Sequence, residues 1–97
     1  MKLRLEEKIL DMDDVPIKDI KEKEMILQDV LVNALMTPME DDKSLSGDQK
    51  MALFVLAMEI KKGKEDVSVE DVSLIKKRIG KLYSQLIVGR AFALIEE

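Results

Sequence analysis

The side chains able to do chemistry in this chain are carboxylates, lysines and arginines, a few hydroxyls and the phenol of Tyr83, because the 97-residue sequence contains no Cys, no His and no Trp. Thiol nucleophiles, imidazole bases, disulfides and the ordinary zinc, haem and iron–sulfur ligand sets go with them. The acids gather in two places: Asp11, Asp13 and Asp14, and then Glu40, Asp41, Asp42 and Asp48. An EF-hand loop needs oxygen ligands at positions 1, 3, 5 and 12 and Gly at position 6. Counted from Asp11, positions 5 and 6 are Val15 and Pro16; counted from Asp41, positions 3 and 5 are Lys43 and Leu45. Both clusters therefore read as turn formers and solvated loops. Paired carboxylates for glycoside cleavage would need a sugar cleft, and one Tyr and two Phe in the whole chain do not line one. No catalytic residue, metal ligand or cofactor is expected, and the chain reads as a non-enzyme.

The bases lie mostly in the second half: Lys61, Lys62, Lys64, Lys76, Lys77, Arg78, Lys81 and Arg90. A patch of Lys76, Lys77, Arg78 and Lys81 would suit phosphate contacts. Against it, residues 46–97 carry nine basic and eight acidic side chains, a net of only +1. No polar recognition helix follows Gly80, and clustered aromatics for stacking bases are absent, so nucleic-acid binding is not the expected role. Gly47, Gly63, Gly80 and Gly89 are isolated, and neither phosphate-cradling glycine motif occurs.

These side chains must be carried by a small domain. The overall charge of −4 divides into a front half, residues 1–45, with seven basic and twelve acidic groups and a net of −5, and the nearly neutral back half. A hydrophobic content of 46% is too high for a disordered chain and 37% charged residues too many for a membrane protein. The longest uncharged run, Met25 to Met39 broken at Asp29, is short of a bilayer span. No secretory signal is read at the N-terminus, so the expected place is the cytoplasm of a bacterial host cell.

Leu3, Leu5 and Ile9 recur on a period of two, Asp11 to Asp14 supply a turn, and Val15-Pro16-Ile17 resumes an extended course. A β-hairpin is expected, the alternative being a short helix through Leu5, Ile9 and Met12. Lys18 to Glu24, alternating in charge sign, reads as a solvated loop or the outer end of the second strand. Helical periodicity begins at Leu27, Val30, Leu31, Ala34 and Leu35 and is stopped by Thr37-Pro38. Ser46-Gly47-Asp48-Gln49 is an S-x-x-Q capping box, and Ser68-Val69-Glu70-Asp71 repeats the signal in S-x-x-D form. Lys61-Lys62-Gly63 marks a C-terminus. Helices are expected near 26–36, 47–62, 69–82 and 85–96. The last two should form a tight antiparallel pair because Tyr83-Ser84 leaves only a short turn. Gly89, in mid-helix, is expected where a neighbouring helix comes close. The fold class is α+β, mainly α, in one domain over 1–97, with the hairpin and loop in 1–25 and the helical part in 26–97.

The helix from Ser46 is apolar nearly all round, with Met51, Phe54, Val55 and Met58 beyond what one layer of neighbours covers. Such a helix belongs in an oligomer interface or a larger core. With Leu86, Val88, Gly89 and Leu94 of the last helix, these residues form the expected interaction surface.

The string from Asp71 to Lys77, followed by Ile79-Gly80-Lys81-Leu82-Tyr83-Ser84 and Leu86-Ile87-Val88-Gly89-Arg90-Ala91, resembles the C-terminal half of short proteins encoded in tailed-phage and prophage genomes. Glu7 to Asp11, Val15 to Lys18 and Leu27 to Leu35 are similar to their front half. Those proteins often have Pro where Gln85 stands and a D-G turn at Asp13-Asp14, departures that loosen a turn and a helix start. The layout is also similar in outline to phage tail-assembly chaperones. The resemblance implies a phage accessory protein that binds itself and a phage or host protein, with virion or tail assembly as its setting. Two alternatives stand beside it: an inhibitor of a host defence or regulatory protein using the acidic front half, and a weak nucleic-acid binder using the third helix.

Overall fold

A computed structural model describes residues 2–96. Four helices dominate it: α1 over Leu27–Met36, α2 over Gly47–Lys61, α3 over Val69–Leu82 and α4 over Gln85–Glu96, with a 3-10 helix at Glu40–Ser44 between the first two. Each boundary has a local cause. Thr37 takes an extended conformation ahead of Pro38, which ends α1. The capping box forms as expected, Gln49 N donating to Ser46 Oγ at 3.1 Å and Ser46 N to Gln49 Oε1 at 2.8 Å. Asp71 N donates likewise to Ser68 Oγ at 3.1 Å and starts α3. At the end of α2, Gly63 adopts φ +103°, with Gly63 N donating to Ile60 O and Lys64 N to Glu59 O, a Schellman closure.

α1 is the centre of the molecule. Leu27, Val30, Leu31, Ala34 and Leu35 are buried, and α2, α3 and α4 all pack on this helix, α2 most extensively. α3 and α4 touch each other less than either α2 or α3 touches α1. The tight pairing expected of the last two helices is thus a minor contact, because Ile75 and Ile79 of α3 and Ala91 and Ile95 of α4 join the common core.

The front segment closes the remaining side of the core with Leu3, Leu5 and Ile9. Among the described residues no β-ladder forms; where a hairpin was expected, pairing consists of isolated antiparallel bridges, Leu10 with Pro16, Lys18 with Glu24 and Lys8 with Ile26. Three residues eight apart close a ring: Ile17 N donates to Ile9 O at 2.9 Å, Met25 N to Ile17 O at 2.8 Å and Ile9 N to Met25 O at 2.9 Å. Two turns of the same construction connect them. In the first, Asp13 N and Val15 N donate to Asp11 Oδ1; in the second, Lys21 N and Lys23 N donate to Asp19 Oδ1. Asp14 and Glu22 hold the left-handed position of each turn, at φ 62° and 60°. The segment from Lys18 to Glu24 is thus a structured turn and not only a solvated loop.

Candidate functional site

Part of each acidic cluster is built into the fold. Asp11 organises its turn, Asp14 Oδ1 accepts Arg90 Nη2 at 2.8 Å, and the same guanidinium donates to Asp11 O at 2.7 Å, tying α4 to the first turn. Among the described residues, no group of three or more acids gathers as a cation site would require.

The basic run of α3 is dispersed. Lys76 lies over the Phe92 ring, 4.8 Å from its centroid. Lys77 is exposed. Lys81 is bonded to Asp41. Arg78, a member of the candidate basic patch, is only 6% exposed and serves as the latch of the fold. Its Nε donates to Ala34 O at 2.7 Å and its Nη2 to Thr37 O at 3.1 Å, so it covers carbonyls that the end of α1 leaves without helical partners. Its fork closes on Asp42, Nη1 to Oδ1 at 2.8 Å and Nη2 to Oδ2 at 3.1 Å. Asp42 Oδ2 also accepts Met39 N at 3.0 Å, which starts the 3-10 helix. One arginine from α3 therefore joins α1, the 3-10 helix and α3. Gln28 does the same service for α2, its Nε2 donating to Ile60 O at 2.8 Å and Lys61 O at 3.2 Å.

The ionisations follow from these contacts. The Arg78 guanidinium holds the Asp42 carboxyl below its ordinary value, with burial opposing and the Met39 amide assisting. Burial pushes the Tyr83 phenol up, while a hydrogen bond with Asn33 pulls it down and the Asp29 carboxylate adds to the rise. Neither group is tuned to exchange a proton near neutral pH.

Clefts lie on both sides of the 3-10 helix. One of about 330 Å³ runs between α2 and α3, with Leu53, Leu56 and Leu74 on its walls and Arg78 among its polar lining. The other, of about 420 Å³, lies between the end of α1 and α2 and is lined by Met36, Leu53 and Phe54.

The four expected α2 residues share one exposed face. Leu56, Ala57 and Ile60 of α2 are buried against the core, whereas Met51, Phe54, Val55 and Met58 are 57%, 43%, 41% and 40% exposed. Their spacings of three, one and three place them on a single stripe of the helix. Met36, 48% exposed, extends the stripe past the second cleft toward α1. The α4 residues divide. Val88 and Leu94 pack against the core and Leu86 is half-buried. Gly89 is exposed, and a Cβ there would meet nothing within 4 Å, so the close helix approach expected of it does not occur. Sequence reasoning placed Met12 in a turn but missed the matching turn tip Ile20; the two are 82% and 100% exposed. Their signal was the eight-residue spacing of Asp11 and Asp19. Among the described residues, no helix is long and apolar enough to cross a membrane.

Comparison of the chain with protein-family models, curated proteins and solved structures finds no match.

Proposed function

We propose that this chain is a non-enzymatic protein that works by protein–protein contact, and that the contact is self-association through the outer face of α2. The observation that carries the reading is the stripe of Met51, Phe54, Val55 and Met58, four large apolar side chains left exposed on a helix whose other arc is already in the core. Water against such a stripe is unfavourable by roughly 25 cal/mol per Å² of apolar surface, and contiguous exposed patches of this kind characterise interaction sites. The Met side chains suit an adaptable interface because their unbranched thioethers repack at little cost. The setting we propose, assembly of a phage particle in the bacterial cytoplasm, is supported by the sequence resemblance of residues 71–91.

Size-exclusion chromatography with light scattering at tens of micromolar tests the reading. The expected result is a dimer or larger species for the unmodified chain and a monomer for Val55→Glu, with the same far-UV circular dichroism. A strictly monomeric unmodified chain overturns it.

A further inference from the structure

Residues 38–45, which carry the 3-10 helix between α1 and α2, are hydrogen-bonded mainly to themselves. Asp42 N donates to Met39 O at 2.9 Å and Leu45 N to Asp42 O at 3.1 Å. Met39 N donates to Asp42 Oδ2, Ser44 Oγ to Asp41 O and Lys43 Nζ to Glu40 Oε1. Among the described residues no backbone hydrogen bond joins this segment to another element, and none of its residues is buried. Apart from half-buried Met39 and Leu45 near its ends, its ties to the rest of the molecule are ionic. Arg78 of α3 holds Asp42, and Lys81 of α3 holds Asp41. Lys50, which lines the second cleft with Asp42, adds a weaker attraction from α2. Glu40, Asp41 and Asp42 against Lys43 give the segment two net negative charges, set among these cations and Lys77, which lines the first cleft.

Met39, Asp42 and Leu45 form the wall common to the two clefts, and Leu53 of α2 lines both. We infer that residues 38–45 are a strap that swings as one body about the extended residues Thr37 and Ser46 while the four helices stay folded. Charge holds it shut, and its opening joins the two clefts into one apolar groove along α2. The segment can move as a unit because its own bonds travel with it. Arg78 tolerates the movement because it keeps Ala34 O and Thr37 O, which belong to α1 and its cap, and turns only its Asp42-facing edge to water. Segments with few buried apolar contacts open locally, below the free energy of global unfolding. The inference is independent of self-association.

The lack of cysteine in the chain permits a direct test by thiol labelling with a bulky maleimide across a series of low urea concentrations. Leu53→Cys places the thiol behind the strap. Ala57→Cys, at a position 2% exposed, reports opening of the whole fold. The expected result is that Leu53→Cys labels faster than Ala57→Cys and with little urea dependence, since strap opening exposes little surface. Its rate should rise about two- to fivefold with Lys81→Ala added, the worth of an exposed ion pair, and about tenfold or more with Asp42→Asn added, the worth of a charge-assisted bond. It should rise as well between about 0.01 M and 1 M NaCl, as the screening length falls from roughly 30 Å to 3 Å. In the unmodified chain, trypsin cleavage after Lys43 should rise with the same salt. Leu53→Cys labelling with the full urea dependence of Ala57→Cys overturns the strap, because the segment then moves only with the whole fold. Labelling unchanged by salt and by both added substitutions overturns it too, because the thiol is then reached with the segment in place. Cleavage after Lys43 that does not respond to salt counts against charge as the tie.

Discussion

Replacing Arg78 should destabilise the fold more than any other change to a charged residue. Arg78→Ala removes two bonds to the Asp42 carboxylate and the caps on Ala34 O and Thr37 O. Breaking a buried ion pair from one side costs about 3–5 kcal/mol, since the partner is left desolvated. The Asp42 side chain is 18% exposed, so water reaches it in the variant and the loss falls near the lower end, about 3 kcal/mol. A chain of this length has about 5–15 kcal/mol in all, so the loss is a large share of the total. Arg78→Met separates packing from bonding. It keeps most of the apolar stem and leaves the same acceptors bare, so it should recover less than about 1 kcal/mol of the loss. Arg78→Met/Asp42→Asn, which removes the charge on both sides, should be more stable than Arg78→Met alone. Urea unfolding at fixed protein concentration is the assay, and 3 kcal/mol moves the midpoint by roughly 1–3 M. A loss below about 1 kcal/mol in both single variants would refute the latch.

Because Arg78 lowers the folded-state pKa of Asp42, the contribution of this carboxylate is present above its unfolded value and lost as pH falls through the folded one. Unmodified chain and Asp42→Asn should therefore differ in urea stability at pH 7 and converge as pH falls through and below the ordinary carboxylate range; a gap that stays constant with pH counts against the assignment. Gly80→Ala and Gly89→Ala, where an added Cβ meets open space, should each stabilise by up to about 1 kcal/mol, or roughly 4–8 °C in melting temperature. Gly63→Ala, at φ +103°, should lose about 1–2 kcal/mol by the same measurement. Glu22→Gly should gain about 0.5–1 kcal/mol by relieving a left-handed backbone, whereas Asp14→Gly should be close to neutral, since it forfeits the bond to Arg90.

The helices were legible because their limits are written locally. Ser46 with Gln49, Ser68, Pro38 and Gly63 each act within a few residues, and the observed bounds fall within a residue of the expected ones. The front segment was half legible. Its alternation and first turn follow from Leu3, Leu5, Ile9 and Asp11, but the second turn puts Glu22 in a conformation usually marked by Gly. Arg78 was illegible for a different reason. In Lys76-Lys77-Arg78 it looks like part of a solvated run, and its burial depends on carbonyls more than 40 residues away in sequence. Gly89 shows the converse: a missing side chain says what could approach, not what does.

Why the outer face of α2 is left apolar follows from the arrangement around α1. Each of the other helices packs on α1, and the front segment closes the remaining side with Leu3, Leu5 and Ile9. Among the described residues no element remains to cover the second arc of α2. The fold uses Leu56, Ala57 and Ile60 from this helix, so polar side chains at Met51, Phe54, Val55 and Met58 would cost the isolated chain little. Stability and association are thus carried by opposite arcs of one helix and can be separated. Leu56→Ala removes a core side chain and should cost about 2–5 kcal/mol of folding free energy. Val55→Glu should leave the folding free energy of the monomer within about 0.5 kcal/mol, as surface changes usually do, while abolishing any dependence of the melting temperature on protein concentration. If Val55→Glu unfolds the monomer as Leu56→Ala does, the face belongs to the core and not to a partner.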